Sequence, residues 1–145
     1  SFLLETDTAN WMNTGLMVRD GTNANARNMC LIASRANGYR IQLRSADGAE
    51  SASLAPTEIP GSGTSAAATP VTLKLVRSRG KIMCYINGTH VTYTGGIDID
   101  VSGWSKNLCV GLAMTAHNNS RICSSFVSDV TFAVVQPKGT LLFMK

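Results

Sequence analysis

The chain is poor in charge: Asp, Glu, Lys and Arg make up 15% of its 145 residues, where a globular chain usually carries about a quarter. Helix surfaces favour Glu and Lys, so a polar surface built from Ser, Thr, Asn and Gly argues for strands and turns. Glutamate occurs only as Glu5, Glu50 and Glu58. Retaining glycoside hydrolysis needs two carboxyl groups roughly 5 Å apart, and of the glutamates only Glu5 has an acidic partner two residues away, Asp7, near the N-terminal end of the chain. Histidine occurs only as His90 and His117, no CxxC pair is present, and a zinc site is therefore not expected. Nothing resembles the strand–turn–helix setting of a serine nucleophile. No run of about 18 apolar residues is present, so no spanning helix is expected. The formal net charge of +4 is scattered, with no cluster longer than the spaced trio Arg77, Arg79 and Lys81. Nucleic-acid surfaces want a basic stripe interleaved with aromatics, so no nucleic-acid partner is expected.

What is present is alternation with period two, the mark of strands with one buried and one wetter face. It runs through Leu16 and Val18, through Tyr39, Ile41 and Leu43, through Val71, Leu73 and Leu75, and through Ile82, Cys84 and Ile86. Further strands are expected at 28–34, 89–93, 108–116, 124–135 and 140–144. Turn dipeptides separate them: Asn37-Gly38, Asp47-Gly48, Arg79-Gly80, Asn87-Gly88, Gly95-Gly96 and Lys138-Gly139. No segment has a helical period. Residues 1–145 fit a single domain, and regular short strands argue for a sandwich or barrel. Residues 51–70, rich in Ala, Ser, Thr, Gly and Pro, read as a long crossing loop or a weak strand pair around Ser53 and Ile59.

The order of the strand motifs resembles a known superfamily. TGLMVRD at 14–20 is followed by MCLIAS at 29–34 and GYRIQLRSADG at 38–48. VTLKLVRSRGKIMCYING at 71–88, CVGLAMTAHNN at 109–119 and FVSDVTF at 126–132 complete the series. In order and spacing it is similar to the concanavalin A-like lectin/glucanase superfamily, and within it to laminin-G-like modules. The resemblance implies an antiparallel two-sheet jelly-roll sandwich, an extracellular or cell-surface address, and binding of a glycan or cell-surface ligand rather than catalysis. The chain departs from the pattern at both ends. Such modules carry one or more strands before the first motif, where only residues 1–5 remain for one here, and residues 136–145 add an apolar run, Leu141 to Met144. Segment 136–145 is therefore either an added strand of the same domain or one donated to a neighbour. Donation would make the chain a structural subunit of an extracellular homo-oligomer or filament.

The candidate ligand-binding residues are Trp11, Arg19, Asp20, Arg40, Arg44, Trp104, His117 and Asn118. Sugar sites combine aromatic platforms with planar polar groups. Trp11 and Trp104 fall in expected loops and are either platforms or caps over the end of the sandwich. Arg19, Asp20, His117 and Asn118 are expected to cluster at one rim, and Arg40, Gln42 and Arg44 share one strand face. Asp98 and Asp100, two residues apart, are either a solvated face or a weak metal site. No cofactor is otherwise implied, and calcium is the ion such oxygen donors suit. The cysteines Cys30, Cys84, Cys109 and Cys123 lie in apolar runs. They read either as buried thiols or as a disulfide framework, with Cys109–Cys123 the favoured bridge because these two sit on successive strands. Asn87 and Asn118 head N-x-[ST] sequons, meaningful only in a glycosylating host.

Overall fold

A computed structural model describes residues 2–4, 12–34, 38–54, 70–91, 93, 96, 98–116 and 124–133. Among the described residues there is no helix, and every strand pairing is antiparallel. The strands are β1 (Phe2–Leu4), β2 (Asn13–Arg19), β3 (Asn28–Ser34), β4 (Gly38–Arg44), β5 (Ala52–Leu54), β6 (Leu73–Ser78), β7 (Lys81–Ile86), β8 (Thr89–His90), β9 (Ile99–Asp100), β10 (Cys109–Thr115) and β11 (Ser125–Val127). Five of them form a sheet in the order β10-β2-β3-β4-β5. In a second sheet β7 pairs β6 along one edge and both β8 and β9 along the other. A short ribbon pairs β1 with β11. The expected strand at 140–144 and the tail from 136 lie outside the described residues.

The two sheets meet through their alternating apolar faces, which makes the domain a β-sandwich. Met29, Leu31 and Ala33 from β3, with Tyr39 and Ile41 from β4, face Leu73 from β6 and Ile82, Cys84 and Ile86 from β7 in one buried cluster. Val91, Ile99, Val101 and Trp104 close its end. Strand β3 is buried on both faces apart from Asn28, as its nearly unbroken apolar run NMCLIAS requires of a central strand.

Two hairpins form where the dipeptides place them. Arg79 and Gly80 have φ of 50° and 74°, and Asn87 and Gly88 have φ of 49° and 81°. Positive φ at both central residues is the turn whose twist matches the flanking strands. The Asn87 carboxamide oxygen also accepts from the Thr72 N–H at 2.9 Å, fixing that turn to the start of β6.

Strand β10 differs from the others. Its register sets Val110, Leu112 and Met114 opposite Val18, Leu16 and Thr14 of β2, so they stand on the sandwich's inner face. They are nevertheless 51%, 51% and 54% exposed. The β1–β11 ribbon meets this row at Met114, where Ser125 Oγ lies 3.0 Å from Thr14 Oγ1 and 3.4 Å from Met114 Sδ.

Candidate functional site

The outer face of the five-stranded sheet follows from the same alternation. With Leu16 and Val18 turned inward, β2 presents Asn13, Gly15, Met17 and Arg19 outward. Register then places Asn28, Cys30, Ile32 and Ser34 of β3 beside them, followed by Arg44, Gln42, Arg40 and Gly38 of β4. Ser53 of β5 and the small residues Gly111 and Ala113 of β10 complete the face. One cross-strand row therefore reads Arg19–Asn28–Arg44, and Arg40 stands in the row of Ile32 and Gly15. Among the described residues no carboxylate belongs to this face.

The arginines lie along the sheet. The Nε atoms of Arg19 and Arg44 are buried and have no hydrogen-bond partner, as expected when the stems cover apolar neighbours and the heads reach outward. Beneath them Cys30 and Ile32 are buried. Arg19 Nη2 donates to the Asn23 carbonyl, Arg44 Nη1 donates to the Ala24 carbonyl at 3.0 Å, and Arg40 Nη1 donates to Ser53 Oγ at 3.2 Å. The described acceptors of Arg19 and Arg44 are neutral carbonyls, so no counter-charge among the described residues meets these two guanidiniums on the face.

Asp20 is engaged elsewhere. Its side chain is 5% exposed and pairs with Arg27, while its other oxygen accepts from the Ser105 N–H at 2.8 Å. The Arg27 guanidinium lies over the Trp104 ring, 5.9 Å from the centroid, and the Arg27 N–H donates to Asp47 Oδ1 at 2.9 Å. Asp20 and Trp104 thus tie the loop 20–27 to the loop 102–106, and Trp104, only 9% exposed, packs into the end of the core. Arg27 is the residue that sequence reasoning missed. Its place seven residues after Asp20, across a loop ending in a strand, was the available signal.

Asp98 and Asp100 serve separate partners. Asp98 Oδ1 lies 3.0 Å from His90 Nε2, and the His90 ring stacks on Tyr85 at 5.0 Å. Asp100 Oδ1 accepts from the Ser102 N–H at 2.9 Å. Hydrogen bonds from Ser102 hold its carboxyl below the ordinary aspartate value. Among the described residues no three His, Cys, Asp or Glu side chains converge as a metal site would need.

Cys30, Cys84 and Cys109 are free thiols, the first two buried and the third exposed. Cys123, the expected partner of Cys109, lies outside the described residues, as do Trp11, His117 and Asn118. Burial pushes the Cys30 thiol up to about 11, with Arg19 pulling the other way. Burial, reinforced by Asp98, pushes Cys84 up to about 12. Asn87 is exposed at its turn.

Of the candidate ligand-binding residues, the sheet brings Arg19, Arg40 and Arg44 onto one face and assigns Asp20 and Trp104 to the packing of one end. No family model, curated protein or solved structure matches the chain.

Proposed function

We propose that this domain is a non-catalytic, extracellular carbohydrate-binding or adhesion module of the concanavalin A-like, jelly-roll type, and that it takes its ligand on the outer face of the five-stranded sheet. One observation carries the reading: Arg19, Arg40 and Arg44 share a sheet face that bears no carboxylate among the described residues. A guanidinium presents a planar fork of donors matched to carboxylate and sulfate oxygens. Asn28 and Gln42, in register between and beside the arginines, supply the amide donors and acceptors that sugar hydroxyls need. Among the described residues an added Cβ at Gly111 would meet nothing within 4 Å, which leaves room for an extended ligand beside it. The favoured ligand is accordingly a glycan with carboxylate or sulfate groups. The scarcity of glutamate supports binding without hydrolysis.

Calorimetric titration with sulfated, uronate-containing and neutral oligosaccharides tests this. Binding confined to the acidic glycans and weakened by salt is expected, since exposed charge pairs are screened. Equal binding of a neutral oligosaccharide at high salt would contradict the arginine assignment. Release of reducing ends from any bound glycan would contradict the non-catalytic reading.

A further inference from the structure

We propose that Arg19, Asn28 and Arg44 form one oxyanion cleft that takes a single sulfate ester of the glycan in preference to a carboxylate; the inference rests on the glycan-binding reading above. The three residues follow one another in a single cross-strand row, so the roots of the two arginines stand two strand spacings apart, about 10 Å. Their heads close on the same turn. Arg19 Nη2 donates to the Asn23 carbonyl, and Arg44 Nη1 donates at 3.0 Å to the next carbonyl along the chain, that of Ala24. Asn28 Nδ2 donates at 3.0 Å to the Ala26 carbonyl of that turn. The turn itself is pinned. The Ala26 N–H donates to the Asn23 carbonyl at 3.1 Å, and the Gly48 N–H donates to the Asn25 carbonyl at 2.8 Å. Asn23, Ala24 and Asn25 are exposed, so the row gathers its three nitrogen donors at a fixed place on the surface.

These contacts leave donors unused. A guanidinium has five N–H groups. In both arginines Nε is buried without a partner, so outward donation falls to the Nη atoms. Each arginine uses one Nη on a carbonyl, and Arg19 Nη1 and Arg44 Nη2 have no partner among the described residues. The Asn28 amide keeps its second N–H. The two nearby carboxylates are engaged with Arg27: Asp20 pairs with its guanidinium, and Asp47 Oδ1 accepts from its backbone N–H. Two like charges gathered at one turn repel, and a bound anion offsets that repulsion. A sulfate ester has three terminal oxygens, one for each of Arg19 Nη1, Asn28 Nδ2 and Arg44 Nη2. A carboxylate has two, and a single guanidinium fork already occupies both. Both anions carry one charge, so the preference comes from the number and spread of the oxygens.

Calorimetric titration of the full chain with oligosaccharides of equal length, bearing either sulfate esters or uronates, tests the proposal. Beside it, nuclear magnetic resonance follows the chain through addition of sodium sulfate against sodium chloride at matched ionic strength. The sulfated oligosaccharide should bind about tenfold or more tighter, the worth of one further charge-assisted hydrogen bond. Arg19→Gln and Arg44→Gln should each remove that preference. The double variant should bind little more weakly than either single one, because the two arginines share one partner. Inorganic sulfate should shift the amide signals of residues 23–28 in the parent and in neither single variant. Arg19→Lys and Arg44→Lys keep the charge, and they decide the matter if Arg19→Gln or Arg44→Gln does not fold. They too should lose the preference, since an ammonium lacks the planar fork. Equal binding of the two oligosaccharides, losses that multiply in the double variant, or a preference that survives Arg19→Lys and Arg44→Lys overturns the proposal while leaving the glycan reading standing. Absence of a sulfate shift in the parent overturns it as well. Sulfate shifts that need both arginines, with no oligosaccharide bound, would uphold the cleft and overturn the glycan reading instead.

Discussion

Replacing Leu31 with alanine empties the middle of a row in which Leu112, Leu16, Leu31 and Ile41 lie side by side across β10, β2, β3 and β4. Leu31 is 0% exposed and has a strand on each side and the second sheet above it. Its loss combines the transfer term with an unfilled cavity, and comparable core positions cost about 3–4 kcal/mol. For a domain of this size that lowers the melting temperature by roughly 10 °C. Leu112 occupies the same row but is 51% exposed, so Leu112→Ala forfeits only part of the transfer term and encloses no void. It should cost about 1 kcal/mol or less. Urea unfolding followed by circular dichroism measures both. An unchanged m-value identifies each loss as stability rather than a change in unfolded-state compactness. Equal costs for the two variants would refute the half-exposed placement of Leu112. A Leu31→Ala cost below about 1 kcal/mol would refute the placement of the core.

Gly15→Ala should destabilise by about 3 kcal/mol or more, because the added Cβ would fall 2.0 Å from the Leu31 carbonyl oxygen, which is backbone and cannot swing away. Thermal melts check this, and an unchanged transition would contradict the close approach of β2 and β3. Brief alkylation followed by peptide mapping should label Cys109 while sparing Cys30 and Cys84 until denaturant is added. Equal labelling of all three would contradict their placement. Both buried thiols are held neutral, raised from 9.0 to about 11 and about 12. The stability tied to them is complete below pH 9, where folded and unfolded thiols are both protonated, and is lost as pH rises toward the folded values. The melting temperature should therefore fall steadily between pH 9 and 12 and fall less steeply in Cys84→Ala. A flat profile would contradict the burial.

The hairpins and the core were legible because each rests on local chemistry. Arg79-Gly80 and Asn87-Gly88 are dipeptides that accept positive φ, and the structure puts both there. The two-sided burial of β3 follows from a run with almost no polar position. Strand β10 shows where such reading stops. The alternation of Val110, Leu112 and Met114 is the same whether or not a second layer covers it, so their exposure depends on how far the neighbouring sheet extends. Residues brought together by register were harder still. Arg40 and Arg44 share a face by simple alternation, but Arg19 joins them only because the ladders bring Arg19, Asn28 and Arg44 into one row. Expected at the rim with Asp20, Arg19 instead turns to the sheet face, while Asp20 turns to Arg27. Strand β9 is two residues long, too short to leave a periodic signal.

Binding of fluorescently labelled chain to an array of neutral, uronate-containing and sulfated glycans, run beside Arg19→Gln, Arg40→Gln and Arg44→Gln, tests the proposed role most directly. Each glutamine keeps a polar side chain but removes a charge-assisted pair worth about 1.5–3 kcal/mol. The account predicts selective retention on acidic glycans, weakened about tenfold to a hundredfold by each substitution with the melting temperature little changed. Retention that survives all three substitutions together, or no retention on any acidic glycan, would contradict it.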